Sequence, residues 1–179
     1  MSKQVTWSEL DRLDRELVER AQEACARAYA PYSLFAVGAA VRSKSGKIHT
    51  AANFENVSYG LTICAEAAAL SAANAAGDFT VEVIAVVGFC IRDAGNSSQI
   101  VTPCGSCRQL IIEAAQVTGS DVRILCCNGE LSSIVVASNS ELLPDTFGVA
   151  SIGTTSQSQL WREKLQTRVE GLIAQRTKR

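Results

Sequence analysis

Two short runs of this chain hold residues whose types and spacing can do chemistry. The first is Cys64-Ala65-Glu66 and the second is Pro103-Cys104-Gly105-Ser106-Cys107. Cys104 and Cys107 are three apart, so the first turn of a helix points both sulfurs the same way. Cys64 and Glu66 are two apart, which within a helix sets them on nearly opposite sides. At a helix start, where the first residue is not yet helical, both can face one site. Helix N-termini favour the thiolate, the form of cysteine that binds metal. Three cysteines are three soft ligands for Zn²⁺, and they leave the fourth tetrahedral position to water, as a catalytic zinc requires. Glu66 then stands beside the metal without binding it, free to move protons.

The competing use of the same cysteines is a structural zinc. That needs four closed ligands, and Cys126 or Cys127 could provide the fourth. Cys25 and Cys90 read as small core residues, as buried free cysteines usually are. His49, the only histidine, falls outside both runs and reads as a surface or core residue.

The two runs must be brought together by the elements that carry them. Leu10, Leu13, Leu17, Ala21, Ala24 and Ala28 recur at threes and fours, predicting one amphipathic helix from Trp7 to about Ala28. Thr6 and Glu9 have capping-box spacing at its start. Phe35 to Val41 and Lys47 to about Ala52 flank the turn Lys44-Ser45-Gly46 and predict a hairpin. An irregular stretch, Asn53 to Thr62, leads into an alanine-rich helix from about Cys64 to Ala76. Val81 to Phe89 is a continuous apolar run, read as a fully buried strand.

A polar loop, Arg92 to Gln99, follows it. Pro103 opens a second inner helix through about Val117, and Val122 to Cys127 is another strand. Asn128-Gly129 is a two-residue hairpin signal, so Ser132 to Val136 is expected to return antiparallel. Glu141 to Phe147 reads as a short helix or turn. The order predicts an α/β fold: a three-layer α-β-α sandwich with a mixed sheet of about five strands and helices on both faces. Residues 1–150 form the expected catalytic domain. Residues 151–179 form a linker and a C-terminal helix from about Gln159 to Ala174, with Leu160, Trp161, Leu165, Val169 and Leu172 available for burial.

Composition limits the function. The chain has 179 residues, a length that fits one domain with a substantial core. A formal net charge of −1 argues against a polyanion-binding surface over the whole molecule. No stretch approaches the roughly 18 consecutive apolar residues that span a bilayer, and Met1 to Leu10 lacks the apolar run of a signal peptide. A cytoplasmic location is expected, where seven cysteines, an odd number, point to free thiols and metal ligands.

The two metal-binding runs, about forty residues apart, resemble those of the zinc-dependent cytidine deaminases. The resemblance runs roughly from Leu13 to Gly148. It extends through Pro31-Tyr32-Ser33, Phe35-Ala36-Val37-Gly38-Ala39-Ala40, Asn53-Phe54-Glu55-Asn56, and Glu141-Leu142-Leu143-Pro144 with Phe147. It implies that Cys64, Cys104 and Cys107 bind zinc and that Glu66 is the catalytic proton carrier. It also implies that Asn53 and Glu55 hydrogen-bond the ribose hydroxyls and the base edge, that Phe35 packs on the pyrimidine, and that Tyr59 and Ala65 line the pocket. The tetrameric branch of the family implies a homotetramer in which Phe147 reaches a neighbouring subunit's site.

The implied reaction converts cytidine or deoxycytidine to the uridine, with Glu66 carrying a proton to N3 and another to the leaving amino group. Many three-cysteine members have arginine directly after the glutamate, where this chain has Ala67. Three thiolates outweigh Zn²⁺ by one negative charge. The offset here falls to the two helix N-termini or to Arg108. Blasticidin S deaminase, a similar enzyme acting on a cytosine-nucleoside antibiotic, also has alanine there. Three readings follow: a nucleoside deaminase of pyrimidine salvage, the same chemistry on blasticidin S or an N4-modified cytidine, and a zinc-stabilised binding protein without turnover. A nucleic-acid substrate is disfavoured, because the core shows no basic groove or aromatic platform. The basic residues of the C-terminal stretch, such as Arg162, Lys164 and Arg168, read as a solvated helix face or a subunit contact.

Overall fold

Val81, Val83, Ile84, Ala85, Val86 and Val87 are all buried, and a strand buried on both faces must lie in the middle of a sheet. In the computed structural model, which describes residues 2–92, 98–153 and 157–176, this strand is β4 (Val81–Cys90). Around it stand β1 (Lys3–Val5), β2 (Phe35–Ser43), β3 (Ile48–Ala52), β5 (Arg123–Asn128) and β6 (Ile134–Ser138). The order across the sheet is β1-β6-β5-β4-β2-β3. Only β4 and β5 run parallel; every other pair is antiparallel.

A parallel pair needs a long crossover, supplied here by α3 (Gly105–Thr118). On the same face lies α2 (Ala65–Ala75), and the two pack on Ala39, Val41, Ile84, Val86, Ile124 and Cys126. The opposite face, with Ala36, Ala40, Val83, Ala85, Val87 and Leu125, is covered by α1 (Arg12–Ala24). Alternation along β2 and β4 thus feeds two cores, giving the expected α-β-α layering. Gly38 of β2 allows α1 its close approach: a Cβ there would stand 2.0 Å from the Ala21 carbonyl oxygen.

Several boundaries depart from the sequence expectation. The sheet has a sixth strand, β1, too short at three residues to show a period. The first helix is broken. Trp7–Glu9 forms a 3₁₀ turn, Leu10 is extended and buried, and Asp11 starts α1 by accepting a hydrogen bond from the Asp14 N–H at 2.8 Å. The Thr6 and Glu9 pair therefore caps the 3₁₀ turn, with Glu9 Oε2 accepting from the Thr6 N–H at 2.7 Å. Leu13, expected in the apolar stripe, is exposed.

The two-residue hairpin at Asn128-Gly129 is not formed, and β6 begins two residues later than expected. Asn128 is fully buried, with its amide accepting from the Ser133 N–H and donating to Ser132 Oγ. That bonding spreads the turn over residues 128–133, with Leu131 in the left-handed region at φ 59°. The expected loop Arg92–Gln99 lies partly outside the described residues.

The chain divides into two units, residues 1–146 and 147–179. The first holds the sheet, α1 to α3 and the short α4 (Asn139–Leu142). The second holds a 3₁₀ turn, Val149–Ile152, and α5 (Gln157–Arg176), along which Leu160, Trp161, Leu165, Val169, Leu172 and Ile173 are exposed. Part of the expected linker, residues 154–156, lies outside the described residues. No helix among the described residues is long and apolar enough to cross a membrane.

Candidate zinc centre and active site

The N-termini of α2 and α3 meet at one end of the sheet, and the three cysteines sit on them. Cys64 is the residue before α2, with φ −68° and ψ 151°, so its backbone is extended. Cys104 holds the same position before α3, with φ −67° and ψ 169°. Cys107 lies in the first turn of α3. The three sulfurs lie within 4.8 Å of one another, and Cys64 Sγ is 3.9 Å from Cys104 Sγ. Tetrahedral zinc with Zn–S bonds of about 2.3 Å sets sulfurs about 3.8 Å apart, so the cluster fits that ion.

Among the described residues no fourth cysteine, histidine or carboxylate joins this cluster. Cys127 packs in the core on the opposite face of the sheet, and Cys126 lies in the core beneath α2 and α3. Burial first pushes each of these two thiols up to about 12. The structural four-cysteine alternative is therefore not assembled. Cys107 is 1% exposed, Cys64 half-buried and Cys104 exposed, so the sulfurs form a floor open on one side.

The cluster is built for a cation. The Cys64 thiol is lowered to about 6, chiefly by its hydrogen bond with Cys107, although burial and the charge of Glu66 oppose this. Cys107 is driven upward, first by that same bond and then by burial and the Glu66 charge. Two thiolates side by side repel each other, and a divalent metal removes that conflict.

Glu66, the second residue of α2, is only 5% exposed. Burial raises its pKa, and a hydrogen bond from Cys107 partly offsets the rise. A carboxyl held above its ordinary range binds a proton more tightly, the direction that suits a proton acceptor. Ala65 is fully buried in the core, backbone included.

The remaining expected site residues fall into two groups. Asn53 and Glu55 follow β3 and reach back to β2 and the turn before it. The Asn53 amide accepts from the Val37 N–H and donates to the Phe35 carbonyl, both at 2.9 Å. A primary amide has two N–H groups and two lone pairs, so these bonds use half its capacity. Glu55 is buried, and its Oε2 accepts from the Tyr32 and Ser33 N–H groups at 2.9 and 3.3 Å. Its pKa is lowered, first by a side-chain hydrogen bond from Ser33. The Phe35 ring lies against Gly88, its Cε1 3.1 Å from where a Cβ would stand.

Tyr59 is 73% exposed, and its ring meets Tyr32 edge-on with centroids 6.1 Å apart. Phe147 is 65% exposed and belongs to the second unit. Sequence reasoning missed the bonds of Arg108, noted there only for its charge. Its Nε donates to the Pro103 carbonyl and its Nη1 to the Leu142 carbonyl, both at 2.8 Å. No sequence signal links residues 34 apart through a backbone carbonyl. His49 Nε2 lies 3.2 Å from Asp78 Oδ2, which also accepts from Ser43 and Ser45, well apart from the cysteines in the fold.

Comparison with known proteins agrees with this geometry. Residues 11–119 match the cytidine and deoxycytidylate deaminase zinc-binding region. A cytidine deaminase of Halalkalibacterium halodurans is 41% identical over 138 residues, covering 75% of this chain and 95% of the relative. A blasticidin-S deaminase of Bacillus cereus is 36% identical over 107 residues, covering 59% of this chain and 76% of the relative. The crystal structure of a cytidine deaminase from Burkholderia pseudomallei superposes with a TM-score of 0.65 at 38% identity, covering 77% of this chain and all of that one. With a zinc-binding region matched in sequence and a three-sulfur cluster assembled in space, the chain belongs to the cytidine and deoxycytidylate deaminase zinc-binding family.

Proposed function

We propose that the protein hydrolyses cytidine or deoxycytidine to the corresponding uridine and ammonia, in pyrimidine salvage. The observation that carries this reading is the buried carboxyl of Glu66 beside three sulfurs that stand at zinc spacing and lack a fourth ligand among the described residues. Zinc held by Cys64, Cys104 and Cys107 supplies a Lewis acid that brings the pKa of water to about 7.

Glu66 takes a proton from water and delivers it to N3 of the pyrimidine, which makes C4 electrophilic. After water oxygen has added at C4, Glu66 takes the remaining proton from that oxygen and passes it to the amino group. The C4–N bond breaks and ammonia leaves. Burial supports the first half of this duty, because it raises the affinity of Glu66 for the proton it must take up. Phe35 packs on the base. Asn53 and Glu55 hydrogen-bond the sugar and the base edge, held in place by their bonds to the backbone at residues 32–37. Tyr59 lines the pocket, with Ala65 packed in the core at the start of α2.

The reading extends to the assembly: a homotetramer, in the cytoplasm, in which Phe147 enters a neighbouring subunit's site. Residues 1–150 are the catalytic domain and 151–179 an extension. A second reading keeps the chemistry and changes the substrate to blasticidin S or an N4-modified cytidine. It is favoured by Ala67 and by the similarity to the Bacillus cereus enzyme. Incubating the zinc-loaded protein with cytidine, deoxycytidine, their monophosphates and blasticidin S, and measuring ammonia, separates them. Release from the free nucleosides is expected. Release from the antibiotic alone selects the second reading, and no release from any substrate with zinc bound leaves a binding protein.

A further inference from the structure

Arg108 follows the last zinc-binding cysteine and joins two parts of the first unit that are far apart in sequence. Its backbone N–H donates to the Cys104 carbonyl at 2.9 Å and its Nε to the Pro103 carbonyl at 2.8 Å. One residue therefore holds both carbonyls of the turn that presents the Cys104 sulfur. Its Nη1 donates to the Leu142 carbonyl at 2.8 Å, at the C-terminal end of α4. That helix has four residues, and its last carbonyls lack partners within the helix. A planar guanidinium with donors in a fixed fork can satisfy two carbonyls at once; an ammonium is a single point charge.

The other end of α4 is fixed independently. Asn139 exchanges backbone and side-chain hydrogen bonds with Val122, its N–H donating to the Val122 carbonyl at 3.0 Å and its Oδ1 accepting from the Val122 N–H at 2.6 Å. Beyond Leu142 the chain turns through Asp145 at φ 54°. Asn139 and the Arg108 fork thus fix the two ends of α4, and residues 143–146 continue from the end that Arg108 holds.

We propose that Arg108 is a positioning residue whose fork couples the Pro103–Cys104 turn to residues 142–146, so that zinc binding at one tightens the other. The proposal goes beyond the deaminase reading and needs of it only that zinc binds the three cysteines. Partners that orient metal ligands typically contribute 10- to 100-fold in metal affinity.

The test is amide hydrogen exchange of the full chain with and without zinc, in wild type, Arg108→Ala and Arg108→Lys, with zinc affinity measured by chelator competition. Zinc is expected to slow exchange at Leu143, Asp145 and Thr146 in wild type and to leave it unchanged there in both variants. The zinc dissociation constant of Arg108→Ala is expected to rise about 10- to 100-fold. Protection of β4 should be equal in all three proteins, which shows that they are folded. Should Arg108→Ala not fold, Arg108→Lys carries the same readout with the charge preserved. Zinc-dependent slowing at 143–146 in either variant, or unchanged zinc affinity in Arg108→Ala, overturns the coupling. No nucleoside enters this experiment, so absence of turnover in the substrate panel is a separate result.

Discussion

Cys64 Sγ and Cys104 Sγ stand 3.9 Å apart although forty residues separate them. Each is the last extended residue before an inner helix, and those helices flank the buried strand β4. The metal site is therefore a property of two helix starts.

Zinc is expected to bind at one ion per chain and to stabilise the fold. A ligand at 100 times its dissociation constant adds about 2.7 kcal/mol, so the melting temperature should rise on titrating zinc into metal-free protein. Cys107→Ala should abolish that rise. Metal content by mass spectrometry and thermal melts check both, and an undiminished rise in Cys107→Ala would place the metal elsewhere.

Glu66→Gln preserves the size and burial of the side chain but removes its ionisable carboxyl. It should keep its zinc and lose about 10²- to 10⁴-fold in turnover. Zinc stoichiometry and ammonia release, measured on the same preparation, decide the matter. Turnover close to wild type would remove Glu66 from the reaction.

Glu55 links the site to acid stability. Its pKa lies below the ordinary 4.5, chiefly through the Ser33 side-chain hydrogen bond. The folded state therefore binds the Glu55 proton less tightly than the unfolded chain does. The stabilisation is present above about pH 4.5 and is lost as pH falls through the lower folded pKa. Glu55→Gln should melt lower than wild type at neutral pH and converge with it in acid once Glu55 is protonated in the folded state, while KM for the nucleoside rises. Parallel melting curves at all pH values would contradict this.

Gly38→Ala tests the packing that sets the sheet against α1. The new Cβ would lie 2.0 Å from the Ala21 carbonyl oxygen and 2.8 Å from the Cys25 nitrogen. Neither backbone can yield cheaply, so a loss at or above the usual overpacking cost of about 1–3 kcal/mol is expected. Denaturant unfolding measures it. Zinc affinity should change little in the fraction that remains folded, because α1 and the cysteines lie on opposite faces of the sheet.

The sequence by itself determined the layers and the metal. The apolar runs Phe35–Val41 and Val83–Phe89 mark strands of a two-faced sheet, because burial on both faces leaves no polar position between the apolar ones. Cys64, Cys104 and Cys107 announce a metal site through residue type and short spacing, which helix geometry converts directly into direction. Glycine at 119 ends α3 in the left-handed region, at φ 74°, again a local rule.

Only the tertiary structure decided what depends on distant backbone. It broke the first helix at Leu10, because burying that side chain required an extended residue. It replaced the two-residue turn at Asn128 with a wider one, because the buried amide bonded to Ser132 and Ser133. It added β1 against β6, committed Asn53 to the backbone of β2, and tied Arg108 to Leu142. In each case the deciding partner is a main-chain group or a buried contact. Every residue carries the same main-chain groups, so the sequence holds no letter for where they will meet.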